Sequence, residues 1–237
     1  MNDTEYGQDV AWPLPESPRH GYRGETQAAP PIPADITIAI SREAGARGGS
    51  LGRRVARLLG WDVYGQELLD YMARDPGCRE DVLKKLSPEA SAWVENRVQE
   101  LVRGQELSQN PSILDLTRLL LALGARGQVV LIGRGAGFVL PRETTLHVRV
   151  AAPLADRVAY LAQWLRLSTE EAAEQARVRD SRRQEFLSMH FHHGPEEAHL
   201  YDLVLNSKTL GEELCAELVL LAARAKQTAI APDRDVE

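Results

Sequence analysis

The sequence predicts an α/β fold, a parallel sheet with helices packed on both faces. Short apolar, β-branched runs at Ile36–Ile40, Gln128–Ile132, Thr145–Val150 and Leu203–Asn206 alternate with longer stretches whose apolar residues recur at helical spacing. That alternation implies crossover helices and strands buried on both sides. Two of the runs end in glycine-rich turns, Gly45-Ala46-Arg47-Gly48-Gly49-Ser50 and Gly133-Arg134-Gly135-Ala136-Gly137. In a sheet of this kind, turns at the carboxyl ends of the strands are where ligands bind.

In chain order, residues 1–34 lack apolar periodicity and carry Pro13, Pro15, Pro18, Pro30, Pro31 and Pro33 among polar residues, which predicts a disordered arm. The folded domain is expected over 35–227, with a frayed tail at 228–237. After the first strand and loop, Leu51, Val55, Leu58 and Leu59 predict a helix, and Trp61–Tyr64 a short second strand. Helical segments then fill 65–110, one of them opened by Ser87 as N-cap and Pro88 at the first helical position. Pro111 opens a Leu-rich helix over Ile113–Leu123, and Pro153 another over Leu154–Leu165. Ser168-Thr169-Glu170-Glu171 predicts a capped helix start, leading into Arg177, Arg179, Arg182 and Arg183. A closing helix runs from Leu210 to Ala225.

The strand–glycine loop–helix at 36–60 has the layout of a phosphate cradle, in which turned backbone N–H groups and a helix N-terminus face an anion. The strict pattern G-x-x-x-x-G-K-[ST] is absent and the loop holds no lysine; the residue two before Ser50 is Gly48. Arg42 and Arg47 are the nearby cations, and Ser50 is the hydroxyl expected to hold Mg²⁺. Arg134 follows a buried strand directly, and its guanidinium suits a bidentate phosphate contact, against the plainer alternative of a local carboxylate pair. The four arginines from 177 to 183 form a cation-rich patch of the type phosphoryl transfer requires. His190, His192 and His193 lack the partners of a metal set and are read as a polar loop, and Asp202 as a turn residue.

A net charge of −6 argues against broad coating of nucleic acid and leaves room for a local arginine pocket. Cys78 and Cys215 are too few for a disulfide framework, which predicts free thiols and a cytoplasmic location. No apolar run is long enough for a bilayer span, so neither membrane nor nucleic acid is an expected partner.

In combination these segments resemble the cytidylate kinase-like family, a branch of the P-loop nucleoside monophosphate kinases. The resemblance rests on Ile38-Ala39-Ile40-Ser41-Arg42-Glu43-x-Gly45-x-x-Gly48, Tyr64-x-x-Glu67-Leu68-Leu69 and Val130-Leu131-Ile132-Gly133-Arg134-Gly135-Ala136. It continues through Val148-Arg149-Val150-x-Ala152-Pro153, Asp156-Arg157-Val158 and Tyr201-Asp202-Leu203-Val204-Leu205-Asn206. It implies the three-layer P-loop kinase fold, with a helical insertion at 65–110 for the monophosphate and a mobile lid at 168–195. ATP phosphates would lie on Gly45, Ala46, Arg47, Gly48, Gly49 and Ser50, with Mg²⁺ on Ser50. Arg42, Arg134 and Arg179 would hold the acceptor, a CMP-type monophosphate, and Arg47, Arg182 and Arg183 would act on the transferred group.

The chain departs from cytidylate kinases at Gly48 and at Gly135, where they carry lysine and the base-reading aspartate. No acid follows the strand at Ile132. Two further readings therefore accompany the kinase: a nucleotide-binding module without turnover, and a kinase for a different small acceptor. On the kinase reading, replacing Gly48 with lysine is expected to raise turnover.

Overall fold

The computed structural model describes residues 32, 33 and 35–230; most of the expected arm and the end of the tail lie outside them. The chain forms β1 (Thr37–Arg42), α1 (Gly48–Leu59), β2 (Asp62–Tyr64), α2 (Gln66–Arg74), α3 (Pro76–Leu83), α4 (Pro88–Arg103) and α5 (Pro111–Arg126). It continues through β3 (Val129–Ile132), α6 (Ala136–Val139), β4 (Thr145–Ala151), α7 (Leu154–Leu165), α8 (Thr169–Phe191), β5 (Leu203–Asn206) and α9 (Ser207–Ile230). The strands make one parallel sheet in the order β2-β3-β1-β4-β5.

Strand residues alternate between two apolar layers, as the period of two demands. Ile38, Ile40, Val130, Ile132 and Val148 face a layer built with α1 and α9. Ala39, Val129 and Leu131 face the other, which is built from α2, α4, α5 and α6 and reaches Leu187 and Phe191 of α8. Burial on both faces explains why β1 and β3 read as continuous apolar runs. α5 is the central helix of its layer, with Leu119 to Leu123 all inaccessible to solvent.

Chain order and spatial order diverge at β1. The chain leaves β1 for β2 and β3 on one side, then crosses to β4 and β5 on the other. The turns after β1 and β3 therefore run to opposite faces from adjacent strands, and a crevice opens between them.

Several boundaries differ from the sequence reading. β1 extends two residues beyond the apolar run, to Arg42, because Ser41 and Arg42 pair with Arg149 and Val150 of β4. Thr228–Ile230 remain helical rather than frayed. The last helix does not begin smoothly at Leu210, since Gly211 (φ 75°, ψ 165°) breaks it after its first turn. The predicted caps form: Ser87 Oγ accepts from Ala90 N, and Ser168 with Glu171 makes a reciprocal capping box. The segment expected as a lid is mostly one 23-residue helix, α8. Its Ala172 and Ala176 pack with α7 residues, and its Leu187 and Phe191 join the main core.

Candidate functional site: an arginine-lined crevice beside the phosphate loop

The loop Glu43–Arg47 carries β1 into α1, and its shape is set by close backbone approach. Gly45 (φ 82°) lies so near the Arg157 carbonyl that a Cβ there would be 2.5 Å from its oxygen. Arg47 takes a left-handed conformation (φ 62°) immediately before α1. Such turns direct successive N–H groups to one side.

A network of ions fixes this loop from beneath. Asp180 of α8 accepts from Ala44 N at 2.8 Å, from Arg157 Nη1 at 2.6 Å and from Arg183 Nη1 at 2.8 Å. Glu43 accepts from Ala152 N at 3.1 Å and pairs with Arg157 (3.3 Å) and Arg149 (3.5 Å). Arg157 of α7 makes an interhelix pair with Asp180 of α8. Asp180 thus ties the loop after β1 to the helix that bears the pocket arginines. Asp180→Asn is expected to lower stability by about 1–3 kcal/mol, less than a fully buried pair would lose, because Asp180 is 31% exposed. Urea denaturation of the variant checks this; an unchanged midpoint would show that the network contributes nothing net.

The turn after β3 is equally constrained. Gly133, Arg134 and Gly135 have φ of 86°, 57° and 70°, three successive left-handed residues. For arginine that conformation costs on the order of 1 kcal/mol, which points to a positional requirement for its side chain. A Cβ on Gly133 would sit 1.9 Å from Arg42 Nη1, and one on Gly135 would sit 2.4 Å from the Phe191 ring.

Between these turns lies a cavity of about 490 Å³ lined by Ser41, Arg42, Gln66, Glu67, Arg134, Arg179, Arg182 and Arg183, with Phe186 on its wall. The arginines called from sequence thus converge from three separate elements. Arg134 is ion-paired to Asp70 of α2, and its guanidinium lies 4.8 Å from the Phe186 ring centroid. Its Nε–H is buried without a partner among the described residues, an unmet donor in a charged group. Arg42 donates to Gln66 Oε1 at 3.0 Å. Burial, then Arg183 nearby, depresses the Arg42 guanidinium to about 10. Repulsion among these cations favours a multiply charged anion in the cavity.

Other expected residues lie elsewhere. Arg177 is exposed and pairs with Glu174. Arg47 does not line the arginine cavity: its guanidinium stands 4.9 Å from the Tyr160 ring centroid, beside a second cavity of about 220 Å³ bounded by Gly45, Arg47, Ala152, Asp156, Ser207, Lys208 and Gly211. Ser50 Oγ donates to Glu212 Oε2 at 3.0 Å. A hydroxyl beside a carboxylate is a hard oxygen pair that suits Mg²⁺, which keeps most of its shell for water and phosphate. Among the described residues no larger acidic or histidine cluster forms, so any Mg²⁺ would need phosphate oxygens as well. A side chain at 48 does not enter free space, since its Cβ would meet Arg42 Cβ at 2.5 Å; this corrects the expectation for Gly48→Lys alone.

Sequence reasoning missed Asp70, Asp180, Gln66 and His147. His147 of β4 is buried, with Nε2 3.0 Å from Ser41 Oγ and Nδ1 3.0 Å from the Leu200 carbonyl. Burial pushes its imidazole down to about 4, so the ring is neutral and braces Ser41 at the cavity wall. Asp202 accepts from His147 N and pairs with Lys226, the structural role its sequence position suggested. His190 and His193 are engaged with Ser108 and Phe138.

Residues 37–209 match the cytidylate kinase-like family along their whole length, through the two glycine turns and the arginine helix just described. The chain belongs to the cytidylate kinase-like family. An uncharacterized protein from Eubacterium ventriosum is similar in structure, with a TM-score of 0.57 at 14% identity, over 81% of this chain and 99% of that one. That likeness concerns the fold alone. A shikimate kinase from Acinetobacter baumannii aligns over 81% of this chain and 95% of its own at 14% identity, but its TM-score of 0.44 carries no weight. A curated relative, the uronate isomerase of Corynebacterium glutamicum, is 35% identical over 92 residues, which are 38% of this chain. The match spans only 18% of that protein's length.

Membership in the cytidylate kinase-like family accounts for the kinase-type α/β scaffold and for a phosphate loop after β1. Among the described residues no helix is long and apolar enough to cross a membrane. Cys78 and Cys215 are free thiols.

Proposed function

We propose that this member of the cytidylate kinase-like family is a phosphotransferase that moves the γ-phosphoryl group of ATP to a nucleoside monophosphate. The observation that carries the reading is the convergence of Arg42, Arg134, Arg179, Arg182 and Arg183 on one cavity at the carboxyl ends of β1 and β3. So many guanidinium groups match a phosphate-bearing acceptor better than a neutral hydroxyl compound, because each phosphate oxygen can accept a charge-assisted hydrogen bond.

On this reading the loop Gly45–Ser50 divides donor from acceptor. The smaller cavity, with Ser207, Lys208 and Gly211, takes the nucleoside part of ATP, and the loop amides hold its phosphates. Arg134, fixed by Asp70, and Arg179 orient the acceptor phosphate. Arg182 and Arg183 contact the group in flight, where charge spreads over the equatorial oxygens. Ser50, with Glu212 beside it, would hold Mg²⁺, which neutralises phosphate charge when bound. Residues 65–110 form the acceptor-side wall and α8 the element that adjusts over it. Catalysis is positioning and electrostatics, with no covalent intermediate. The reaction belongs in the cytoplasm, where its nucleotides are.

The test is a coupled assay of ADP release from Mg·ATP with CMP, dCMP, UMP, AMP and GMP in turn. Release that depends on one of them supports the reading; none, with every monophosphate, sinks it. A second reading, nucleotide binding without turnover, is favoured by Gly48 and by the absence of an acid between Ile132 and Gly137. Tight ATP binding with no ADP release would select it.

A further inference from the structure

We infer that Arg42 is the phosphate cation of this site, the missing lysine having been replaced by an exchange of positions across the loop rather than lost. With Gly48, two before Ser50, taken as the lysine position, the first glycine of G-x-x-x-x-G-K falls on Arg42 and the second on Arg47. The chain therefore carries arginine at both glycine positions, 42 and 47, and glycine where the motif has the cation.

The structure shows why the changes at 42 and 48 belong together. A Cβ at position 48 would lie 2.5 Å from Arg42 Cβ and 3.0 Å from Arg42 Cγ. The stem of Arg42 thus runs through the volume in which a lysine stem at 48 would begin. From there the guanidinium reaches the turn after β3, touching the place a Cβ of Gly133 would occupy. Gly133 is the space that lets it arrive. Its charge lies at the floor of the arginine cavity, between the two glycine turns.

The partners of the neighbouring arginines make Arg42 the distinct one. Of the half-buried arginines of the cavity, Arg134 is held by Asp70 and Arg183 by Asp180. Among the described residues Arg42 has no carboxylate partner at ion-pair distance, and its hydrogen bond goes to the neutral amide of Gln66. Glu67 on the same cavity wall offsets part of the repulsion from Arg183 and Arg134, but no carboxylate closes on Arg42, which leaves its fork poised for an incoming anion. Arg42 would contact the bridging region of the ATP phosphates, where the lysine of the motif acts, while Gln66 holds the fork in register. Arg47, at the end of the loop, lies over Tyr160 beside the smaller cavity and does not line this one.

This inference rests on the proposed phosphotransferase reading, and the experiment separates the two. Binding of Mg·ATP and of inorganic pyrophosphate to the full chain is measured by calorimetry for wild type, Arg42→Gln, Arg42→Gly, Gly48→Lys and the double variant Arg42→Gly/Gly48→Lys, with thermal melts as the check of folding. Loss of one charge-assisted contact predicts about 10- to 100-fold weaker binding in Arg42→Gln and Arg42→Gly. Gly48→Lys alone should not gain affinity, because the stems collide. The double variant, which moves the cation from position 42 to position 48, should regain affinity to within about threefold of wild type if the contact is equivalent. Arg42→Gln that folds and binds both probes like wild type overturns the inference and leaves the kinase reading standing. So does a folded double variant no better than Arg42→Gly. If wild type binds pyrophosphate through Arg42 but no ATP, the exchange stands and the kinase reading falls. If wild type binds neither probe, both fall.

Discussion

Arg134→Ala is expected to weaken binding of the acceptor monophosphate by about 10- to 100-fold while changing ATP affinity by less than about threefold. The selectivity of the loss is the point. Arg134 follows β3 in a left-handed conformation, is braced by Asp70 and Phe186, and carries a buried Nε–H with no partner among the described residues. A side chain held so firmly has little rotamer freedom left to lose on binding, so most of its interaction reaches the ligand. Lysine should rescue poorly, because a point charge cannot serve Asp70 and a phosphate from one planar fork. Paired calorimetric titrations with CMP and ATP check this. Equal losses for both ligands, together with a lowered melting temperature, would reassign Arg134 to a structural pair with Asp70.

A comparable effect is expected from acid, through His147. Its folded-state pKa, about 4, lies below the ordinary 6.5, so the unfolded chain binds the extra proton between those values. The native state therefore has its full stability above about pH 6.5 and loses it progressively as pH falls toward 4. The size is up to about 3 kcal/mol, since each unit of displacement is worth about 1.4 kcal/mol. Because His147 also braces Ser41, the arginine cavity should loosen over the same range. Chemical denaturation at pH 7 and pH 4.5 measures the loss, and His147→Gln isolates it. That variant should be less stable at neutral pH, yet lose distinctly less between the two pH values. An identical pH slope in both proteins would remove His147 from the account.

The sequence by itself determined the parallel α/β architecture and nearly every element in it. Its periodicities are local: an amphipathic helix such as α1 or a doubly buried strand such as β3 must show its pattern wherever the chain folds it. Caps at Ser87 and Ser168 and the two glycine turns were legible for the same reason, since each requirement is met within a few residues. Arg134 could be singled out because its neighbours in sequence are the glycines that turn it.

Tertiary structure alone decided which charges meet. Asp180 reaches Ala44 across 136 positions and Ser41 reaches His147 across 106, contacts fixed by the order β2-β3-β1-β4-β5 and by the parallel register of β1 with β4. Along the chain Arg47, beside the vacant lysine position, was the expected phosphate cation, and Arg42 was assigned to the acceptor. Their separation came from direction, one laid over Tyr160 and the other carried by two further residues of β1 into the crevice. The glycine at 48 looked like a missing lysine in sequence, and packing shows its volume already filled by the stem of Arg42. Side-chain volume is shared between residues distant in sequence, and a linear pattern does not record which of them has taken it.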